Sequence, residues 1–554
     1  MPLGGCAVRD TVLLALGASL YTLASPPYEW SSAAWFALSP LFLVLQGKTA
    51  GTAYVAGFLY GVFFCLGIAY WVYYAVAAYF ALVFPLNLFV TLLSYGLFVG
   101  SYTGLAAACS CVLMRSSSVF RWIGIPALWV SAELARTSLF SGFSWELLGY
   151  TQYRQLSLIQ ITDITGVYGL SFLLALSGYV FAECSIAFPL LHRPGFPRAA
   201  RLGRLPWPAL GCLLGVVGLT LCYGSLRLHH YESPAAPSLK LALVEGNVPN
   251  AQRWQRVHYA ATLLQYMSVT RQGVAGRPVD LVVWPEFAVG FYLDREPLLR
   301  VQLGQLTQNL ATSLLLGAPR IEETAVGSHS YNSAYLFAPS GALQETYDKM
   351  RLLPFAEYRP LPLLLFRRDQ DHELPSEFTP GRKPTIFLLP QAAFGVTICY
   401  ESTYPDLSRH LVRDGAQFLV NISNDTWLVK GGGAATAQHF SMAVFRAVEN
   451  KRPLVRATTA GISGFVDPTG HSHHLSTKEA GVVFGDVIPR REVTVYARYG
   501  DWFAYGCVGV ALIALLNRRL WKGPLPFSYL SNRERFSRRV LRQDLPANCS
   551  SQLD

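Results

Sequence analysis

Glu286, Lys349 and Cys399 stand out in the second half of this 554-residue sequence because together they could carry out covalent catalysis at a carbonyl carbon. A cysteine thiol has an ordinary pKa of about 8.5, so little of it is thiolate at neutral pH. A neighbouring ammonium favours the thiolate and can later face an oxyanion, while a carboxylate can accept the thiol proton and return one to a leaving group. Considered singly, a glutamate after Trp-Pro is often a turn residue, and a lysine after Asp is often solvated surface.

Polar side chains follow four short apolar runs in the same part of the chain, at the point where each run ends. The runs and the residues after them are Leu241–Val244 with Glu245, Asp280–Pro285 with Glu286, Gly395–Ile398 with Cys399, and Phe418–Ile422 with Ser423, Asn424 and Asp425. Short β-branched runs that alternate with helical stretches predict an α/β or α+β layered sandwich. Because a sheet holds the backbone rigid while its ends project side chains, such positions commonly carry catalytic groups.

Cys399 is the only one of ten cysteines between residues 227 and 498. Eight others lie in or beside apolar runs elsewhere, and Cys549 lies near the C-terminus. A lone cysteine cannot form an internal disulfide, even in an oxidising compartment. It is therefore either a buried apolar side chain or a reactive thiol.

The remaining sequence is typical of a membrane protein. Hydrophobic residues make up 52% of the chain and charged residues only 14%, a balance that is rare in a wholly soluble protein of this size. The composition excludes a disordered chain, collagen-like repeats and a disulfide-stapled secreted module. No charged residue occurs between Lys48 and Arg115. Since a crossing takes about 20 residues, we predict eight membrane helices, two of them in this run with a break near Pro85.

The charges predict how these helices are oriented. Residues 227–498 hold 27 Lys and Arg against 24 Asp and Glu, whereas most of the net charge of +11 lies beside the apolar runs. With two crossings between Lys48 and Arg115, one side of the membrane collects Arg9, Lys48, Arg115, Arg121, the cluster from Arg193 to Arg204 and the tail from Arg518 to Arg542. Basic residues are retained in cytoplasmic loops. We therefore expect both termini in the cytoplasm, the segment 227–498 on the outer side, and an orienting role for the tail instead of nucleic-acid binding.

Three motifs, in this order and spacing, resemble the Glu-Lys-Cys signature of the nitrilase superfamily. They are Trp284-Pro-Glu286, Lys349 with Leu353-Pro-Phe355 and Glu357-Tyr358, and Ile398-Cys-Tyr-Glu401. The flanking apolar runs make the chain similar, from about residue 11 to 517, to the apolipoprotein N-acyltransferase family within that superfamily. Supporting matches include Pro26-Pro-Tyr28, Ser141 to Trp145, Leu148 to Gln152, Ser423 to Trp427, and Gln438-His439.

The resemblance implies an α-helical membrane bundle plus a nitrilase-like αββα sandwich. Residues 1–226 are expected to hold membrane helices 1 to 7, 227–498 the catalytic domain, 499–520 helix 8, and 521–554 a basic cytoplasmic tail. The family's motifs assign Glu286 as general base, Lys349 as oxyanion stabiliser and Cys399 as nucleophile. The supporting positions that match are Glu357, Glu401 and Tyr400, with Trp254 and Trp427 as substrate-binding or lid residues. Glu357 and Glu401 could alternatively be structural ion pairs, and for His439 a structural role is expected.

The sequence departs from the family's pattern at Ala356, Thr426 and Leu428, which leaves the loop shape around the pocket open. Apolar runs adjoin the predicted site at Phe287–Leu293, Leu352–Phe355 and Leu361–Phe366. Each run is either core or a surface arm that rests on the bilayer and guides an acyl chain. Gly431–Gly433 could be the hinge of such an arm or an ordinary flexible loop.

The implied reaction moves a fatty acyl chain from a phospholipid through a Cys399 thioester to the amine of a diacylglyceryl apolipoprotein. The expected setting is the bacterial inner membrane, with the catalytic domain facing the periplasm and the protein a monomer. No P-loop, dinucleotide fingerprint or zinc-ligand cluster is present in the sequence, and no cofactor or metal is expected. Two alternatives stay open: a membrane-anchored amidase or hydrolase that uses water as acceptor, and a transporter or receptor with an inert nitrilase-like domain.

Overall fold

The computed structural model describes residues 3–80, 82–115, 118–139, 142–191, 205–231, 237–325, 327–358, 377–429, 433–476 and 481–516. Several predictions concern residues outside these ranges. They are the basic cluster from Arg193 to Arg204, the tail 521–554, the run Leu361–Phe366, and the glycines Gly431 and Gly432.

The first part of the chain is a bundle of apolar helices. Five of them are long and apolar enough to cross a membrane: Ala7–Ala24, Ala50–Ile68, Leu86–Leu113, Val167–Ala187 and Trp207–Tyr231. The uncharged run from Lys48 to Arg115 thus forms two long helices, and the second begins directly after Pro85. The protein is therefore a membrane protein with several spanning helices.

Three further predicted spans have a different character. Ser31–Val44 and Trp502–Leu516 are shorter apolar helices. Ser118–Ser138 has 21 residues but contains the charged residues Arg121, Glu133 and Arg136. The total of eight crossings therefore stays a prediction.

The helices of this part are Leu3–Ala24, Ala34–Ala37, Ser39–Val44, Ala50–Ile68, Trp71–Phe80, Leu86–Tyr95, Ser101–Leu113, Ser118–Ser138, Leu156–Ile159, Thr162–Thr165, Val167–Leu191 and Trp207–Tyr231.

Small residues let the membrane helices approach closely. A Cβ atom added at Gly57 would lie 2.4 Å from the Cβ of Ala107, and one added at Gly61 would lie 2.3 Å from Oγ1 of Thr103. Without an aqueous hydrophobic effect to drive helices together inside a membrane, such close van der Waals packing is what holds them. A larger side chain at either glycine would force the two helices apart.

The second part is a sandwich of two six-stranded sheets. The first sheet has the order β12-β1-β2-β3-β4-β5 and the second the order β11-β10-β9-β8-β7-β6. The strands are β1 Leu239–Glu245, β2 Leu281–Val283, β3 Ser313–Thr324, β4 Gly327–Phe337, β5 Leu343–Asp348, β6 Ile386–Leu388, β7 Ala393–Ile398, β8 Phe418–Asn424, β9 Leu454–Thr459, β10 Ser463–Val466, β11 Ser472–Ser476 and β12 Gly481–Val487. Strands β1, β2 and β3 run parallel, as do β7, β8 and β9.

The alternation of side chains along β1 shows how the layers are built. Leu241 and Leu243 are buried in one core with residues of the second sheet, while Ala242 and Val244 are buried in another with the outer helices. A strand directs successive side chains to opposite faces, so a sheet covered on both faces is apolar on both. Two helices cover each sheet, which confirms the predicted αββα sandwich. The helices of this part are Asn250–Arg253, Tyr259–Val274, Pro297–Leu310, Pro405–Arg413, Thr426–Val429, Ala434–Asn450, Val495–Tyr499 and Trp502–Leu516.

The helix Ala434–Asn450 joins the two parts. It is buried along nearly its whole length, and its residues contact both the second sheet and the membrane helices. Oε1 of Gln438 accepts hydrogen bonds from the indole nitrogens of Trp71 at 3.2 Å and Trp145 at 2.8 Å. Its amide nitrogen donates to the carbonyls of Pro26 at 3.0 Å and Ile68 at 2.9 Å. This single side chain therefore ties three segments of the membrane part to the sandwich.

Candidate active site

The sheet ends bring the three predicted catalytic residues into one buried region. Glu286 lies three residues after β2, Lys349 directly after β5 and Cys399 directly after β7. Their exposed fractions are 3%, 2% and 3%. Because β2 and β7 belong to the two facing sheets, the site lies across the sandwich and is assembled only when both sheets pack.

A buried hydrogen-bond network links Lys349 to two carboxylates. Nζ of Lys349 lies 3.3 Å from Oε1 of Glu286 and 3.0 Å from Oε1 of Glu357. Nδ2 of Asn332 donates to the same two oxygens, at 2.7 Å and 2.8 Å. The backbone nitrogen of Asn424 donates to the other oxygen of Glu286 at 2.7 Å. Glu286 is therefore held in one orientation by three donors.

Glu401 organises the backbone around the site. Its Oε1 accepts from the hydroxyl of Tyr347 at 2.8 Å and from the backbone nitrogens of Met350 and Arg351 at 2.7 Å and 3.0 Å. Its Oε2 accepts from the nitrogen of Ile398 at 2.7 Å. The Glu401 carboxylate thus fixes the loop after Lys349 against the residue before Cys399.

The backbone at Cys399 has a left-handed conformation, with φ of +52°. Such a conformation costs a non-glycine residue about 1–3 kcal/mol and persists only where the surroundings impose it. The Cys399 carbonyl accepts hydrogen bonds from Nε2 of His439 at 3.1 Å and from the hydroxyl of Ser402 at 3.1 Å. Phe287, directly after Glu286, also has a positive φ of 49°. Strained backbone therefore occurs at Cys399 and directly after Glu286.

The electrostatic environment sets the resting protonation states. Burial raises the pKa of Glu286, because Lys349 offsets only part of the desolvation and the carboxylate of Glu357 adds to it. Burial, followed by the charge of Glu286, also raises the pKa of the Cys399 thiol, and Lys349 offsets only part of that. Burial disfavours the Lys349 ammonium, but the two carboxylates outweigh this effect and raise its pKa well above the ordinary value. Cys399 therefore rests as a thiol next to a carboxylate of raised basicity.

A second buried cluster lies behind Cys399. The carboxylate of Asp425 contacts the guanidinium of Arg456 at 2.8 Å and Nδ1 of His439 at 3.2 Å. Because the Cys399 carbonyl can only accept, the neutral imidazole carries its proton on Nε2, and its Nδ1 accepts from Arg456 at 2.9 Å. Burial and Arg456 both lower the pKa of His439. Burial opposes ionisation of Asp425, but the charge of Arg456 and the Ser423 hydroxyl, which donates at 2.6 Å, favour the carboxylate, and the pKa of that carboxyl is lowered.

Aromatic side chains surround the site. Trp254 is buried and packs against Phe287, with ring centroids 4.9 Å apart, in a small cluster with Phe378. Tyr400 stacks on Trp145 of the membrane part, with ring centroids 6.5 Å apart. Trp427 lies in the short helix Thr426–Val429, and its side chain is outside the described part of the chain. Trp254 thus borders the residue after Glu286, and Tyr400 faces the membrane helices.

The structure decides between core and surface arm for the apolar run Phe287–Leu293. Ala288, Val289, Phe291 and Leu293 are buried in the core between the first sheet and its helices. This run is core and cannot be a surface arm. In the loop after Lys349, by contrast, Phe355 is 37% exposed and its ring lies 5.4 Å from that of Phe80 at the end of a membrane-part helix.

Two residues of the site were missed by sequence reasoning. Asn332 bridges both carboxylates from within β4, and Arg456 balances Asp425 from within β9. The sequence feature that could have indicated them is a polar residue inside a stretch that forms a strand. Asn332 precedes Ser333 and Ala334, and Arg456 follows Leu454 and Val455. Among the described residues, the one group of His, Cys, Asp and Glu side chains with metal-binding geometry lies away from this site.

Comparisons with known proteins cover both parts of the chain. The family model described as apolipoprotein N-acyltransferase N-terminal domain matches residues 17–180, and the carbon-nitrogen hydrolase model matches residues 240–497. A protein of Geobacter metallireducens named apolipoprotein N-acyltransferase is 38% identical over 92% of this chain and 95% of its own length. A protein of the same name from Pseudomonas paraeruginosa is 32% identical over 92% of this chain and 96% of its own. A solved amidase from Nesterenkonia sp. is 18% identical, with a TM-score of 0.34 over 46% of this chain and 93% of its own.

Proposed function

The chain belongs to the apolipoprotein N-acyltransferase family, whose reaction is lipoprotein N-acylation, and we propose that it performs this reaction through a thioester on Cys399. The acyl donor is a membrane phospholipid, and the acceptor is the N-terminal amine of an S-diacylglyceryl-cysteine lipoprotein. The observation that carries the proposal is a buried Cys399 thiol that interacts electrostatically with Glu286 and with a Lys349 ammonium held in place by two carboxylates.

In the first half-reaction, the Cys399 sulfur attacks the ester carbonyl carbon of the phospholipid. Glu286 accepts the thiol proton as the carbon–sulfur bond forms, since the raised pKa of the thiol leaves little free thiolate beforehand. Lys349 and a backbone N–H after Cys399 stabilise the oxyanion. Glu286 then gives the proton to the departing glycerol oxygen, and the lysophospholipid leaves a thioester behind.

In the second half-reaction, the lipoprotein amine attacks the thioester carbon. Glu286 takes a proton from the attacking nitrogen and passes it to the departing sulfur as the carbon–sulfur bond breaks, which returns the Cys399 thiol. Conversion of a thioester to an amide is downhill, so the transfer requires no nucleotide. Glu357 and Asn332 act by positioning Lys349 and Glu286 through the hydrogen bonds described above.

A lipid donor is supported by the contact between the loop 350–358 and the membrane part. Phe355 meets Phe80, and exposed apolar side chains follow at Val83, Phe84 and Leu86. An acyl chain gains about 0.8 kcal/mol for each CH₂ group that leaves water. This apolar surface offers a chain emerging from the bilayer a route towards Cys399 that avoids water.

We propose that the chain lies in a bacterial inner membrane as a monomer, with the catalytic domain in the periplasm and both termini in the cytoplasm. The retained basic residues near Arg9, Lys48 and Arg115 support this orientation. A cysteine introduced at the exposed Glu323 should react with a membrane-impermeant thiol reagent added outside spheroplasts. The unsubstituted protein gives the background labelling. If position 323 is labelled only after the membrane is broken, the catalytic domain faces the cytoplasm and the proposed orientation is wrong.

An acyl-transfer assay with the purified protein tests the function. The substrates are a phospholipid labelled in its acyl chains and a synthetic diacylglyceryl-cysteine peptide. We expect labelled amide on the peptide, with equimolar lysophospholipid, and little free fatty acid when the peptide is absent. Release of free fatty acid without amide would show a hydrolase. The variant Cys399→Ala is tested in cells beside Cys507→Ala, the matched control at another buried cysteine. If Cys399→Ala functions as well as the control, the nitrilase-like domain is inert.

A further inference from the structure

The hairpin turn between β10 and β11 brings three metal-binding side chains together on the surface of the sandwich. Asp467 directly follows β10, His471 directly precedes β11 and His473 lies within it. One oxygen or nitrogen from each side chain lies within 4.8 Å of the others. Residues two apart in an extended strand point to the same face, which places both imidazoles on the side of Asp467. None of these residues takes part in the acyl-transfer site.

The spacing of the donor atoms fits a small cation. Nδ1 of His471 lies 3.1 Å from Nε2 of His473, and that Nε2 lies 3.6 Å from Oδ2 of Asp467. In a tetrahedral zinc site with bonds of about 2.0–2.1 Å, neighbouring donors are about 3.3 Å apart. These two distances lie on either side of this value and the third is below 4.8 Å, so an ion could enter once the side chains move closer around it.

The turn holds Asp467 in the orientation that a ligand needs. Its Oδ1 accepts from the backbone nitrogen and hydroxyl of Thr469, at 2.8 Å and 2.6 Å, and from the nitrogen of His471 at 3.1 Å. Its Oδ2 is then directed at His473. Hydrogen bonds that fix a ligand in this way commonly support metal sites and tune their affinity.

The turn itself is anchored and open to solvent. The carbonyl of Pro468 accepts from Nζ of Lys451 at 3.3 Å, and that of Thr469 accepts from the amide of Gln160 at 2.8 Å. The side chains of Asp467 and His473 are 37% and 43% exposed. An ion can therefore reach a site whose backbone is already held, without any unfolding.

We propose that Asp467, His471 and His473 bind one divalent transition-metal ion of the zinc type, with water completing the coordination. Two imidazoles and one carboxylate suit zinc, nickel or copper, whereas calcium and magnesium require mostly oxygen ligands. Gln160 belongs to the membrane part, so a bound ion would stiffen a turn that touches it. In the absence of metal, an N–H···N bond between the imidazoles and a contact of His473 with the Asp467 carboxylate would account for the same distances.

A zinc titration of the full chain without a polyhistidine tag tests the proposal. The detergent-solubilised protein competes with a chromophoric chelator, and we expect one equivalent of Zn²⁺ to bind. His471→Ala and His473→Ala should each weaken this binding at least tenfold while leaving acyl transfer unchanged, which shows that they fold. His474→Asn is the matched control, since His474 neighbours His473 without belonging to the group of three ligands, and it has a positive φ of 51° that asparagine tolerates.

Cys399 can also bind zinc, so the titration is repeated with Cys399→Ser. The site at the turn is supported if Cys399→Ser still binds one equivalent of Zn²⁺ and the two histidine variants lose it. The proposal is overturned if no equivalent binds, if His474→Asn weakens binding as much as His471→Ala does, or if Cys399→Ser alone abolishes it.

Discussion

Two buried charged clusters flank Cys399, and the pKa of the carboxyl in each is shifted in the opposite direction although burial raises both. The acid–base cluster consists of Glu286, Asn332, Lys349 and Glu357, and the support cluster consists of Asp425, His439 and Arg456. In the acid–base cluster two carboxylates share one ammonium, whereas in the support cluster one carboxylate faces one guanidinium and a neutral imidazole. The pKa of Glu286 is raised, while the pKa of Asp425 is lowered.

The difference follows from the charge balance of each cluster. A carboxylate that shares its only counter-ion with a second carboxylate is incompletely compensated, so it takes up a proton readily. A carboxylate that has a guanidinium to itself stays ionised. We infer that the acid–base cluster can exchange a proton during catalysis, and that the support cluster holds the Cys399 backbone without exchanging one. Substitutions in the first should therefore affect rate, and substitutions in the second should affect stability.

The largest effect on rate outside Cys399 is expected for Glu286→Gln. Loss of the general base should lower kcat/KM by about 10²- to 10⁴-fold. The free energy of unfolding should change by less than about 1.5 kcal/mol, because one hydrogen bond from Asn424 is lost while the repulsion from Glu357 is removed. Acyl-transfer kinetics and thermal unfolding in detergent measure the two quantities. A variant with normal kinetics but strongly reduced stability would place Glu286 with the support residues.

Asp425→Asn is expected to act mainly on stability. It leaves the Arg456 guanidinium without a counter-ion in the interior, which should cost about 3–5 kcal/mol. Arg456 is fully buried, and its other close partners, the side chain of Asn421 and the imidazole of His439, are neutral. The double variant Asp425→Asn with Arg456→Gln should recover part of the loss, since no charge then stays unpaired. Equal stability of the single variant and the unsubstituted protein would contradict the assignment.

Glu357→Gln should give an intermediate loss of activity and a shifted pH profile. Loss of a charge-assisted hydrogen bond to Lys349, of about 1.5–3 kcal/mol, corresponds to about 10- to 100-fold in kcat/KM. Glu286 must be ionised to act as a base, so activity falls as the pH drops through its raised pKa. Because Glu357 raises that pKa, its removal should move the acidic limb of the profile to lower pH. An unmoved limb would show that the two carboxylates are not coupled.

The smallest effect is expected for His439→Asn. The substitution removes the imidazole hydrogen bond to the Cys399 carbonyl, which should lower the free energy of unfolding by about 0.5–1.5 kcal/mol and leave kcat/KM close to that of the unsubstituted protein. The pH profile should keep its shape, because the neutral imidazole carries no exchanging proton. A change in the acidic limb would instead make His439 part of the acid–base cluster.

Much of the site was accessible from the sequence because it lies at strand ends. Apolar runs that stop at Glu286 and Cys399 predict both the strands and the residues they deliver, since the period of a strand is local. The membrane helices could be predicted for a similar reason, because a long uncharged apolar run inside a membrane can satisfy its backbone groups only as a helix or in a closed barrel. The αββα layering, by contrast, was implied by the resemblance to a family and confirmed by the observed sheets.

The polar partners inside the sheets could not be predicted in this way. Asn332 and Arg456 lie within strands, and their partners are set by how separate strands and loops pack, which the local pattern does not encode. The run Phe287–Leu293 is apolar without a clear period, so the sequence left core and surface arm equally open. Its burial depends on the helices Tyr259–Val274 and Pro297–Leu310, which lie on either side of it along the chain.

Mass spectrometry of the protein after incubation with a phospholipid of defined acyl chains tests the central claim most directly. Without an acceptor peptide, we predict that the intact protein gains the mass of one acyl chain and that the adduct lies on the peptide containing Cys399. Hydroxylamine or the diacylglyceryl peptide should remove it, and Glu286→Gln should form it more slowly. Acyl transfer by a protein whose Cys399 is never modified, or an adduct on another residue, would contradict the claim.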